Sequence, residues 1–186
     1  MIELSGLWDY PDPHTFFDQV TAQDMDALNH TNNMVYVKWC QQAAWSHSVS
    51  LGLDAERYRE LDRAMAITHS EYHYLQASPE GEDLVVGTWI VDWDQKLTMA
   101  RRFQIIRIND GVTLLRGAMR FACIELSSGR PKRLPEAFLV GFRDGGGHVL
   151  EGDEYGALVG IVDDLVEDLF GDVAQGDGGG SVAGFE

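Results

Sequence analysis

Apolar positions follow two rhythms along the first 126 residues. Between Asn33 and Leu51 they fall at 34–37, 39, 40, 43–45, 49 and 51. That helical spacing wraps so much of the circumference that a largely enclosed helix is expected. Gly52 stops it, and a shorter amphipathic helical piece, "DAERYRELDRAM" (54–65), follows with Asp54 as its cap. Elsewhere the rhythm is that of strands. "TFFDQV" (15–20) reads as a first strand, and four segments rich in β-branched and aromatic residues read as later ones, at 66–77, 83–94, 96–108 and 112–126. "NDG" at 109–111 is a tight hairpin signal, because these residues tolerate positive φ. The predicted order is strand, long buried helix, short helix, then four antiparallel strands in a meander. An α+β fold in which one curved sheet encloses one helix satisfies it.

Size and cysteine content agree with such a core. A chain of 186 residues buries roughly 70% of its unfolded surface, so it needs no staples. Cys40 and Cys123 stand 83 positions apart and outside any CxxC pairing, which writes neither a disulfide framework nor a zinc site. The start, "MIELSGLWDYPDPHTFF", has no basic leader followed by an apolar core. A cytoplasmic protein with no membrane partner is therefore expected.

The net charge of −16 speaks against nucleic acid, whose phosphates demand clustered Lys and Arg. Its distribution divides the chain. Residues 144–186 hold 11 Asp and Glu and no Lys or Arg, which leaves 14 − 19 = −5 for residues 1–143. We expect an N-terminal extension (1–14), one domain (15–142) and an acidic, Gly-rich tail (143–186), largely flexible. A short helix at 157–170, apolar at Leu158, Ile161, Leu165 and Leu169, is possible in that tail.

The densest polarity sits directly before the long helix, in "DMDALNHTNN" (24–33). Three readings compete: a helix cap with a polar loop, a metal site, or a catalytic loop. Asn32 suits an N-cap. The first N–H groups of a helix have no intrahelical partner and lie at the positive end of its dipole, so the Asn33 amide could polarise a carbonyl. Asp26 could cap a turn, as aspartate often does, or act on a substrate. A metal would find at most three ligands here and no second cluster, so none is expected.

"DMDALNHTNNMVYVKW" resembles the Asp-x-Asp-x-x-Gly-His-x-Asn-Asn-x-x-Tyr segment of the hot-dog-fold acyl-CoA thioesterases of the 4-hydroxybenzoyl-CoA thioesterase type. It is also similar to the corresponding loop of plant acyl-ACP thioesterases. The likeness runs over roughly residues 15–142, through "LGL", "YHYL" and "GEDL" to the closing "GRPKRLPEAF". It implies a hot-dog fold, hydrolysis of acyl-CoA without a cofactor (CoA being part of the substrate), and a homodimer or homotetramer with active sites near the subunit seam. Asp26 then matches the catalytic carboxylate, as nucleophile or general base, and the backbone N–H of Asn33 matches the amide that polarises the carbonyl. His30 would polarise the carbonyl, orient a water or hold Asp26. Asp24 is expected to brace the loop and Tyr36 to pack in the core. Asn29 departs from the family's glycine, but asparagine is the best non-glycine residue for a left-handed backbone.

Coenzyme A carries phosphates, and Arg130, Lys132 and Arg133 form the one dense basic cluster. Arg101 and Arg102, adjacent on a strand, would point to opposite faces. Taken singly, each of these five reads as solvated surface charge. His69 and His73 lie about 13 Å apart on a strand, too far to share an ion, and Cys40 reads as an inert core residue. An acyl-ACP thioesterase, a hot-dog dehydratase and a non-catalytic acyl-CoA sensor are the alternatives.

Overall fold

The computed structural model describes residues 3–144. Strand β1 (His14–Gln19) leads through a single 3-10 turn (Ala22–Asp24) and the polar loop into helix α1 (Asn33–Ser50) and helix α2 (Ala55–Leu61). Four strands follow: β2 (Ala64–Tyr74), β3 (Asp83–Trp93), β4 (Thr98–Arg107) and β5 (Thr113–Ile124). Helix α3 (Glu136–Asp144) closes the described region. All strand pairs are antiparallel, in the order β1-β3-β4-β5-β2.

This order corrects the predicted four-strand meander. Only β3, β4 and β5 are joined by hairpins. β2 pairs with the far side of β5, from Ala64↔Ile124 to Tyr74↔Leu115. The connection from β2 to β3, residues 75–82, is long enough to cross the end of the sheet, whereas the other two links are short turns. In the β3–β4 turn, Asp94 Oδ1 alone accepts the N–H groups of Lys96, Leu97 and Thr98.

Helix α1 lies on one face of the sheet through Tyr36, Trp39, Cys40, Ala43 and His47, the i, i+3, i+4, i+7, i+11 series. Tyr36, Trp39, Cys40 and Ala43 meet Leu84, Val86, Ile90, Phe103, Ile105, Leu115 and Phe121 in one core cluster, each large apolar side chain contributing about 1.5–3 kcal/mol. The large enclosure predicted for the helix is only partly met within one chain. Met34, Trp45 and Val49 stay exposed, because the sheet covers a single side.

The opposite face of the sheet is covered by the N-terminal extension. Gln104, buried on that face, accepts the Asp9 N–H at 2.8 Å and donates to Leu7 O at 3.0 Å and Thr113 Oγ1 at 2.9 Å. Trp89 donates its indole N–H to Pro11 O at 2.7 Å, and Asp9 forms a two-pronged pair with Arg116 at 2.6 and 2.8 Å. Covered on both faces, β3 is buried continuously from Leu84 to Val91.

Helix α3 was not expected, and the anticipated domain boundary at 142/143 falls inside it. Pro135 stands just before the helix, its carbonyl accepting the N–H groups of Phe138 and Leu139, a place where proline's missing donor costs nothing. Phe138 and Phe142 then bury against Tyr58 and Trp93. The tail helix anticipated at 157–170 lies outside the described residues.

Candidate functional site

The polar loop is held by its own backbone before any ligand is considered. Met25 and Thr31 form an isolated bridge, Asp26 N–H donates to His30 O at 2.8 Å, and Asn32 N–H donates to Asp24 O at 2.8 Å. Asp24 braces the entry: its Oδ2 accepts from both the N–H and the hydroxyl of Thr21, at 2.9 and 2.7 Å. The turn needs a left-handed residue, and Asn29 supplies it with φ 59°.

Asp26 has two faces. Its Oδ1 accepts the backbone N–H groups of Leu28 at 2.8 Å and His30 at 3.1 Å, closing the turn. These bonds, that from His30 first, hold the carboxyl below the usual carboxylate range. Its Oδ2 has no hydrogen-bond partner among the described residues. The turn-capping reading therefore describes one oxygen of this carboxylate, and the other remains available.

Asn32 caps α1 by accepting the Met34 N–H on its side-chain oxygen at 2.9 Å. Its carbonyl takes the Val35 N–H at 2.9 Å. The Asn33 N–H is left without an acceptor among the described residues, at the positive end of an 18-residue helix. Asp26, His30, Thr31, Asn33, Tyr36, Tyr74 and Gln76 line one cavity of about 220 Å³. The His30 ring has no hydrogen bond among the described residues, and its backbone rather than its imidazole holds Asp26.

The wall opposite the loop comes from the end of β2 and the segment after it. Tyr74 donates its phenol to Asn33 O at 3.3 Å. Tyr36, 2% exposed and in the core, also accepts the Ser78 N–H on its phenol oxygen at 3.0 Å. Thr31 donates its hydroxyl to Ser78 O, and Ser78 donates to Glu82 at 2.9 Å. Nothing in the spacing of Tyr74 or Gln76 marks them as cavity residues, because what brings them to the loop is the placement of β2 and the crossover after it.

The basic cluster is elsewhere. Arg130, Lys132 and Arg133 follow β5 at the end of the sheet where Ala64 begins β2, and the cavity is at the end where Tyr74 finishes it. At ~3.3 Å per residue, an 11-residue strand puts roughly 33 Å between them. Lys132 pairs with Glu125 at 3.0 Å. Arg101 corrects its reading as surface charge: it is 1% exposed, on the inward face shared with Met99 and Phe103. Arg102 lines a separate cavity on the opposite face with Tyr10 and Trp89.

Glu71 and His73 pair at 2.7 Å on β2, and among the described residues no cluster of three His, Cys, Asp or Glu is placed to hold a metal ion. Burial pushes the Cys40 thiol far up, so it is inert. No helix among the described residues is long and apolar enough to cross a membrane.

One antiparallel five-stranded sheet on one long helix, with a polar loop at the helix N-terminus, defines a hot-dog domain. The model of the thioesterase-like superfamily matches residues 20–142, and the chain belongs to that superfamily. Protein THEM6 of Danio rerio is 32% identical over 78 residues, a match that spans 42% of this chain and 38% of that protein. Among solved structures, Slr0204, a 1,4-dihydroxy-2-naphthoyl-CoA thioesterase from Synechocystis, superposes with TM-score 0.65 at 19% identity, covering 72% of this chain and 97% of its own. The hypothetical protein SAV2348 from Staphylococcus aureus, in complex with CoA, superposes with TM-score 0.68 at 18% identity, covering 78% and 92%. These two likenesses are likenesses of fold.

Proposed function

We propose that the protein is an acyl-CoA thioesterase, converting acyl-CoA and water to the free acid and CoA. The observation that carries this reading is the pairing of an unpartnered helix-terminal N–H, that of Asn33, with an unpartnered carboxylate oxygen, Asp26 Oδ2, on residues lining one cavity. A thioester carbonyl bound to the amide gains a fixed donor for the charge that grows on its oxygen. Asp26 then attacks the carbonyl carbon or takes a proton from an attacking water. Its depressed pKa keeps it ionised at neutral pH. The His30 ring, free beside it, orients the water or the thioester.

Assembly is part of the proposal. Among the described residues β1 and β2 are the unpaired edges of the sheet, and exposed edges invite pairing. A two-fold axis beside β2 would set the strand antiparallel to its copy. The Ala64 end of one subunit, with Arg130, Lys132 and Arg133 near it, would then lie beside the Tyr74 end and the Asp26 cavity of the other. In this homodimer, or in a tetramer built from it, the CoA phosphates meet the partner's basic cluster. The exposed Met34, Trp45 and Val49 of α1 supply apolar surface near that seam.

The test is release of free thiol from short, medium and aromatic acyl-CoAs, with acyl-ACP beside them. Turnover of at least one acyl-CoA above acyl-ACP supports the reading. Binding of acyl-CoA without turnover would replace it with a sensor.

A further inference from the structure

A second cavity, which shares no residue with the Asp26 cavity, lies between α1 and the sheet. It begins at Gln41, eight residues and about 12 Å along the helix from Asn33. Its volume is about 150 Å³, and Trp45, Tyr58, Ile67, Met99, Met119 and Phe121 give it an apolar wall. Arg101 and Ser48 also line it.

Arg101 is the anomaly. Its guanidinium donates to His47 Nδ1 at 2.9 Å and to Ser48 Oγ at 3.1 Å. Arginine has no acceptor, so His47 Nδ1 accepts and the imidazole is neutral. Burial first, and Arg101 second, bring the His47 pKa down to about 3. Neither partner of the guanidinium carries negative charge, and none of the ion pairs among the described residues includes Arg101. Proteins pair buried charges because an uncompensated one is costly. Two neutral contacts occupy two of the five N–H donors that arginine offers.

We infer that this cavity binds a carboxylate with a small apolar body, its charge received by Arg101 and its hydrocarbon by the wall around it. A cavity of about 150 Å³ admits a benzene-sized group, which sets the size of that body. Two sources share this chemistry. One is a free acid, the class of product that the proposed hydrolysis releases; the other is the distal carboxylate of a long acyl chain whose thioester lies at Asn33.

Hexanoate and benzoate, with hexanol and benzyl alcohol as neutral counterparts, test the inference by calorimetric titration of the full chain. The carboxylates should bind saturably, and Arg101→Met should weaken them by about tenfold or more while leaving the alcohols unchanged. Should Arg101→Met fail to fold, Ile67→Glu offers a second route. Ile67 is a partly exposed residue of the cavity wall, so a glutamate there would occupy Arg101 internally and abolish carboxylate binding in a folded protein. Equal affinity for acids and alcohols, wild-type carboxylate binding in either variant, or no saturable binding would overturn the inference. Ten-carbon thioesters with and without a terminal carboxylate then separate the sources. An Arg101-dependent preference in kcat/KM assigns the carboxylate to the substrate, and no preference assigns it to a free acid. Only this last comparison rests on the proposed thioesterase activity. Asp26→Asn should still bind hexanoate, so loss of one reading leaves the other standing.

Discussion

Asn29 shows how much one loop residue can disclose. Its φ of 59° is the conformation for which asparagine is the best substitute for glycine. Asn29→Gly should therefore leave stability within about 0.5 kcal/mol, and Asn29→Val should cost about 1–2 kcal/mol in chemical denaturation. Asp26 makes a prediction in pH. Its pKa is depressed by backbone donors, so the ionised form and the stability its bonds contribute are present above the unfolded-state value and lost as pH falls through the lower, folded one. The acid limb of kcat/KM should accordingly lie below the usual carboxylate range. A limb near neutral pH would assign the essential ionisation to another group. Asn29, the Asn32 cap and the unpartnered Asn33 amide were legible because each follows from local backbone geometry. Arg101 was misread although the signal was present: it shares strand parity with Met99, Phe103 and Ile105, all buried, and that parity outranks the ordinary preference of arginine for water.

At the scale of elements, the sequence spoke most clearly where periodicity and turn chemistry agreed, in α1, α2 and the β4–β5 hairpin. It was silent where an element's partner comes from far along the chain. The cover on the outer face is such a case: Gly87 lets Trp8 approach so closely that an added Cβ would stand 2.7 Å from its ring. Gly87→Val should displace Trp8 and lower stability by roughly 1–3 kcal/mol, which thermal unfolding would show, with no direct effect on the Asp26 cavity. An unchanged melting temperature would mean that the extension contributes little to the domain. The place of β2 beyond β5 was equally hidden, since strand character is local and strand order is not. The cavity wall at Tyr74 and Gln76 depends on that order, and for this reason the sequence named the loop side of the site and missed the side facing it.

For the whole molecule, the separation of the basic cluster from the Asp26 cavity within one chain ties the proposed CoA binding to the proposed assembly. Light scattering should give twice the chain mass or a multiple of it, and a charge placed on β2 away from both cavities, as at the exposed Ser70 in Ser70→Lys, should shift it toward the monomer and weaken CoA binding together. A monomer that turns over acyl-CoA at full rate would remove the role given to the partner's Arg130, Lys132 and Arg133. The central claim rests on the two groups at the start of α1, and Asp26→Asn probes it with little disturbance, because an amide oxygen can still accept the Leu28 and His30 N–H groups. Thiol release from acyl-CoA by the folded variant should fall by about 10²–10⁴-fold with acyl-CoA binding retained; turnover equal to wild type would contradict the account.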